Sequence, residues 1–171
     1  MVSGLLDLSR VEATPIDQPK ERIDLTSLLQ QFAEAFASRA EQAERTFQLD
    51  LGESPVFIEG NAGQIQRAVE NLLENALKFT REGDTINLSL ETQSDAALLR
   101  VTDTGIGIPA TDLPRLFGRF HRGQNSSSLP GSGLGLAIVR AIVESHHGQV
   151  AARSEGIGQG SSFSIRLPLA G

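Results

Sequence analysis

A chain of 171 residues, 39% of them hydrophobic and 21% charged, has the size and balance of one globular domain with a real core. Its net charge of −6 argues against a general nucleic-acid binder, because phosphate backbones demand clustered Lys and Arg, and the absence of Trp and Tyr removes the usual stacking platforms for single strands. The absence of cysteine excludes disulfide frameworks and thiolate zinc sites and fits a reducing cytosol. No apolar run reaches the roughly 18 residues needed to span a bilayer, and no signal-peptide pattern opens the chain.

In chain order, apolar residues at 5, 8 and 11 predict a short amphipathic helix. Pro15 and Pro19 then make 14–20 a linker. A brief strand is expected over 21–25, an Ala-rich helix over about 26–45, and alternating strands over 47–51 and 56–59. Asn61-Ala62-Gly63-Gln64 reads as a capping box opening a helix that runs to about Lys78. Strands near 85–92 and 96–103 flank a turn at Ser94-Asp95. Residues 104–132 are rich in Gly, Ser and Pro, with one helical patch near 110–117. About 28 residues is long for a passive connector, which predicts a functional lid. A helix over about 133–147 and strands near 149–154 and 161–168 complete an α+β sandwich, its helices mostly on one face of the sheet.

Chemistry is expected at four places. On the helix ending at Lys78, Asn71, Asn75 and Lys78 stand at i, i+4 and i+7, one polar stripe beside the apolar face. An amide oxygen suits Mg²⁺ and an ammonium suits phosphate, although a solvated helix face would carry the same residues. Asp103 shares a strand face with Leu99 and Val101, which aims its carboxylate at the apolar side, where it needs a donor such as the exocyclic amine of adenine. The blander alternative is a strand-end Asp capping a turn. Gly105 and Gly107 follow and allow close backbone approach.

The third place, Gly131-Ser132-Gly133-Leu134-Gly135-Leu136, sets a glycine-rich turn directly before an apolar-striped helix, where free N–H groups and the helix dipole favour an anion. In the fourth, Ser161 shares its strand face with Phe163, Ile165 and Leu167, so its hydroxyl points inward, either to a ligand beside Asp103 or to backbone. Two simpler motifs fail. Gly105, Gly107 and Ala110 satisfy the dinucleotide spacing, but Pro109 and Pro114 crowd the helix that should follow, and no G-K-[ST] completes a Walker A loop.

Together the order of these pieces is specific. Asn71-Leu-Leu-Glu-Asn75-Ala-Leu-Lys78-Phe79-Thr80, then Asp103-Thr-Gly-Ile-Gly107, then Leu116-Phe117-Gly-Arg-Phe120, then Gly131-Ser-Gly-Leu-Gly135-Leu closely resembles the N box, first glycine box, F box and second glycine box of the sensor histidine kinases, members of the GHKL superfamily. The resemblance covers about 21–168. It implies the Bergerat ATP-binding fold, a mixed sheet covered on one face by about three helices, with a long ATP lid. Residues 5–12 resemble the end of that family's second dimerisation helix, which divides the chain into a remnant and linker (1–20) and a catalytic domain (21–171).

The resemblance further implies that Asn75 coordinates Mg²⁺ on the ATP phosphates with Asn71 in support, that Lys78 contacts phosphate, and that Phe79 packs near the nucleotide. Asp103 would take the adenine amine, with Gly105, Gly107 and Ile108 lining the ring. Arg122 would approach the γ-phosphate as a lid arginine, Arg119 being the weaker candidate. Gly131, Gly133, Leu134, Gly135 and Leu136 would cradle the phosphates, and Ser161 replaces the Thr usual at its position. The activity implied is transfer of the γ-phosphoryl group to a histidine on a dimerisation domain, and onward to a response regulator, in the cytoplasm and without nucleic-acid or membrane contact by this domain.

None of the three histidines lies in an S-H-E-L-R-T-P type acceptor segment. His121 falls in the lid, and His146 and His147 fall at a helix C-terminus, where positive charge is favourable. Rivals within the superfamily are ATPases and an anti-sigma-factor serine kinase. The ATPases carry a glutamate base where this chain has Asn71, and the serine kinases lack the dimerisation-helix remnant. A degenerate docking module would have no need of Asn75, Asp103 and the glycines.

Overall fold

The computed structural model describes residues 20–113, 116–117 and 135–170. The expected remnant and linker over 1–20, but for Lys20, the candidates Arg119, Arg122, Gly131, Gly133 and Leu134, and most of the expected lid lie outside them.

The described elements are β1 (Glu21–Asp24), α1 (Leu25–Gln42), β2 (Thr46–Asp50), β3 (Phe57–Gly60), α2 (Ala62–Lys78), β4 (Thr85–Gln93), β5 (Ala96–Asp103), α3 (Gly135–Ser145), β6 (Gln149–Arg153) and β7 (Ser161–Pro168). Five strands form one sheet in the order β2-β4-β5-β7-β6. β2 runs parallel to β4 and every other pair is antiparallel, so the sheet is mixed, as expected. β1 and β3 instead pair with each other as a separate two-stranded ribbon, with Ile23 opposite Ile58.

One face of the large sheet supplies Ile86, Leu88 and Leu90 from β4, Ala97, Leu99 and Val101 from β5, and Phe163, Ile165 and Leu167 from β7, all buried. Their spacing of two is the pleat of the strands. Against that face α2 lays Ile65, Ala68, Val69, Leu72, Leu73 and Ala76, and α3 lays Ala137, Ile138, Val139, Ile142 and Val143, in one continuous core. Each fully buried Leu or Ile contributes about 1.5–3 kcal/mol of transfer energy, so truncating one such as Leu72 to Ala costs about 2–5 kcal/mol.

Caps decide where the helices start and stop. Asn61 Oδ1 accepts from the Gln64 amide at 3.0 Å, which realises the expected N-cap of α2, and Asp24 does the same for α1 through Ser27 at 3.1 Å. α1 stops at Gln42 rather than near 45, because Glu44 turns to φ +63° and Arg45 leaves to serve another helix. The Arg45 guanidinium donates to Thr80 Oγ at 3.0 Å, to the Leu77 carbonyl at 3.3 Å and to the Thr80 carbonyl, and to Ala43 of its own turn at 2.7 Å. A cation thus closes the negative end of α2.

α3 ends at Ser145, short of 147, with His147 at φ +62°. The expectation of a favourable positive charge there is corrected for His146. That ring is buried, its Nδ1 lies 2.8 Å from the Ile142 carbonyl, and its Nε2 accepts from the Asn61 amide at 3.0 Å. A ring that donates at one nitrogen and accepts at the other is neutral. Burial lowers its pKa, opposed by the Ile142 bond and aided by Lys20 and His147 nearby.

Candidate functional site

β5 delivers Asp103 at its end, buried, directly opposite Ser161 at the start of β7. Ser161 Oγ donates to Asp103 Oδ2 at 2.7 Å and the Gly105 amide donates to Oδ1 at 2.8 Å. The inward hydroxyl and inward carboxylate expected from strand alternation therefore meet each other. Burial raises the Asp103 pKa, and the hydrogen bonds from Ser161 and Gly105 pull it back down. The result is an acceptor held in a fixed orientation at a low-dielectric strand end.

The glycines after Asp103 are required by contact. A Cβ on Gly105 would sit 1.9 Å from the Phe79 carbonyl oxygen, so only glycine lets β5's exit pass the end of α2. The Ile106 amide then donates to that same carbonyl at 2.9 Å. Gly107 adopts φ +76°, and a Cβ there would meet the Gly156 carbonyl at 2.0 Å. The carboxylate of β5 and the polar stripe of α2 are thus joined through one peptide junction.

On α2 the stripe forms as spaced, but its members differ. Lys78 is exposed, while Asn71 and Asn75 are half-buried. The Asn71 Nδ2 atom is buried and has no hydrogen-bond partner among the described residues. Leaving such a donor unpaired costs about 1–3 kcal/mol, and a buried orphan on this polar stripe calls for an acceptor. Among the described residues no group of three or more His, Asp, Glu or Cys could hold a metal. A cation here would depend on an amide oxygen such as that of Asn75 together with oxygens brought by a ligand, the mixed shell that Mg²⁺ accepts.

Phe79 is half-buried beside this junction, and Ile108 packs on the core while its amide donates to Ser154 Oγ at 3.0 Å. From the F box, Leu116 is buried and Phe117 meets Phe163 edge-to-face at 6.3 Å. Gly135 opens α3 and Leu136 packs against the core. The sequence reading missed two residues that frame the site, Arg45 and Ser154. A serine followed by glycines at 156, 158 and 160 is the turn signal that could have flagged the second.

Comparison with known proteins shows the family of this fold. Residues 60–171 match the model of the histidine kinase-, DNA gyrase B- and HSP90-like ATPase family. The sensor histidine kinase RppB of Synechocystis sp. is 34% identical over 99% of this chain and 37% of its own length. The alginate biosynthesis sensor protein KinB of Pseudomonas aeruginosa is 35% identical over 99% of this chain and 28% of its own. The chain thus spans well under half the length of these curated relatives. Among solved structures, full-length ShkA in complex with AMPPNP superposes with a TM-score of 0.85 at 29% identity, covering 99% of this chain and 35% of that one. A mycobacterial sensor histidine kinase, MprB, gives 0.79 at 31% identity, covering 87% of this chain and 98% of that one.

Proposed function

The chain belongs to the histidine kinase-, DNA gyrase B- and HSP90-like ATPase family as an ATP-binding catalytic domain of the sensor-kinase type, and from that premise we propose how its residues work. Asp103 accepts the exocyclic amine of adenine, with Ser161 and the Gly105 amide holding the carboxylate in place. The observation that carries this reading is the buried Asp103, bonded on both oxygens from its own fold and aimed from the end of β5.

Phosphates then extend toward α2. Asn71 Nδ2 donates to a phosphate oxygen or its water, and Lys78 meets the phosphate chain as a mobile cation. Mg²⁺, held by Asn75, would neutralise charge on the phosphates. Arg122 and the second glycine box, Gly131 to Leu136, complete the cradle by resemblance. Orientation and charge neutralisation are the protein's contributions to phosphoryl transfer.

The reaction is in-line transfer of the γ-phosphoryl group to a histidine nitrogen of a dimerisation domain in the same protein. A P–N bond forms, the bridging P–O bond breaks, ADP leaves and the imidazole gives up its proton. A response regulator is the onward recipient, and the domain works in the cytoplasm. The AMPPNP held by full-length ShkA, which matches 99% of this chain, supports a nucleotide at this site. Asn71 stands where a hydrolase of the superfamily keeps its glutamate base, and an amide is a poor base.

The test is activity in parts. Alone, the chain should bind Mg-ATP yet neither label itself nor hydrolyse ATP at a useful rate. With the parent's dimerisation domain it should form an acid-labile, base-stable phosphohistidine there. Radiolabel taken up by the chain alone, or brisk intrinsic hydrolysis, would overturn the reading.

A further inference from the structure

The loop between β6 and β7 is built around one hydroxyl. Ser154 Oγ donates to the Gly160 carbonyl at 2.6 Å and accepts from the Ile108 amide at 3.0 Å and the Gly156 amide at 3.2 Å. One donor hydrogen and two lone pairs are all a hydroxyl has, so the group is saturated. The Gly156 contact closes the serine's own turn, and the other two land beside the base end of the site. Gly160 immediately precedes Ser161, and Ile108 closes the segment that begins with Gly105. Backbone bonds tie the same two loops together: the Gly158 amide donates to the Ile106 carbonyl at 2.6 Å and the Gly160 amide to the Gly105 carbonyl at 3.1 Å.

We propose that Ser154 is a positioning residue for purine recognition, setting the Asp103–Ser161 pair by clamping the β6–β7 loop to the segment after β5. Among the described residues it is the side chain that bridges these two loops. The clamp acts at a distance of one residue from Ser161 and through the Gly160-to-Gly105 bond onto the amide that holds Asp103 Oδ1. Without the hydroxyl, two amides and a carbonyl lose their partner and the loop relaxes. Asp103 keeps its charge but loses the fixed orientation that lets it tell an amine from a carbonyl.

The inference rests on the adenine assignment to Asp103 and deepens it. The measurement is the ratio of affinities for ATP and inosine triphosphate, which replaces the donor amine by an acceptor oxygen, titrated on the whole chain with Mg²⁺. Wild type should prefer ATP by at least about 100-fold, as buried polar recognition allows. Ser154→Ala should lower that preference about tenfold, the scale of one buried hydrogen-bond network losing its anchor. Ser154→Thr, which keeps the hydroxyl, should hold it near the wild-type value.

A role confined to stability would lower the melting temperature and weaken both nucleotides equally, leaving the ratio intact, and that result overturns the inference. Failure of wild type to discriminate overturns the adenine assignment instead, so the two outcomes separate. If Ser154→Ala does not fold, hydrogen exchange in wild type without nucleotide decides. A slow Ile108 amide is expected, and a freely exchanging one refutes the clamp.

Discussion

The two ends of the site are built on different principles. At the proposed base end, Asp103 accepts one hydrogen bond on each oxygen, from Ser161 and from the Gly105 amide, and Ser154 ties the flanking loops, so the acceptor is oriented before a nucleotide arrives and keeps lone pairs to offer it. At the proposed phosphate end, Asn71 keeps a buried donor without a partner among the described residues and Lys78 stands exposed on its stem. Recognition of a flat, rigid ring gains from a finished surface, because preorganisation removes the ordering cost of binding. A phosphate that must be handed away gains from groups that the ligand itself completes. On the proposed reading, the difference places specificity at the β5–β7 end and turnover at the α2 end.

The largest effect should come from breaking the finished end. Asp103→Asn can keep both internal bonds, its carbonyl oxygen accepting from Gly105 and its amide donating to Ser161, but it presents a donor to the adenine amine. The mismatch should cost about 1–3 kcal/mol or more, seen as a loss of most Mg-ATP binding by calorimetric titration. The fold should not suffer. Burial holds the Asp103 pKa above its unfolded value, so ionisation opposes folding as pH rises through that interval, and the neutral Asn escapes the penalty at neutral pH. An unchanged ATP affinity would remove Asp103 from the base site.

A smaller and opposite-signed pair of effects should mark the unfinished end. Asn71→Leu replaces the orphaned amide by an apolar group of similar size, which should raise stability by about 1 kcal/mol, or about 2–4 °C in a domain of this length. ATP affinity should fall about tenfold with the loss of a charge-assisted hydrogen bond, while adenosine affinity stays put. Thermal scans and paired titrations read both. A variant that gains stability and still binds ATP normally would make the orphan a packing defect rather than a functional group.

Much of this contrast was legible in the sequence, and the parts that were not share a cause. β7 alternates from Ser161 to Leu167 and β5 alternates over its last residues, Leu99 to Asp103, so the inward carboxylate and hydroxyl follow from period two, and their meeting needs only that β5 pair with β7. The i, i+4, i+7 stripe of α2 follows from helix geometry in the same way. Long-range partners leave no such local trace. The parallel pairing of β2 with β4, the separate β1–β3 ribbon, and the reach of Arg45 across 35 residues to Thr80 are set by tertiary packing. Ser154 looked like the last residue of a strand, and its three partners lie on two loops. His146 looked like a helix-end cation, and its burial against Gly60 depends on how α3 crosses the start of α2.

That crossing gives the smallest expected effect, a pH dependence outside both ends of the site. A Cβ on Gly60 would lie 2.4 Å from His146 Cδ2, so the ring rests directly on the chain entering α2, and Nε2 accepts from the Asn61 amide. A proton on Nε2 would replace that acceptor by a donor facing a donor. The folded-state pKa is lowered, chiefly by burial and also by the nearby charges of Lys20 and His147. The stability contributed by the neutral ring is therefore complete above the unfolded value of about 6.5 and is lost as pH falls toward the folded value. Melting temperatures should decline as pH falls through 6.5 more steeply in wild type than in His146→Gln, whose amide oxygen can accept from Asn61 without titrating. Because Asn61 caps the helix that presents Asn71 and Asn75, the same acid interval should weaken phosphate-dependent ATP affinity before it weakens adenosine affinity. Parallel pH profiles for wild type and His146→Gln would show that the ring is not the group being titrated.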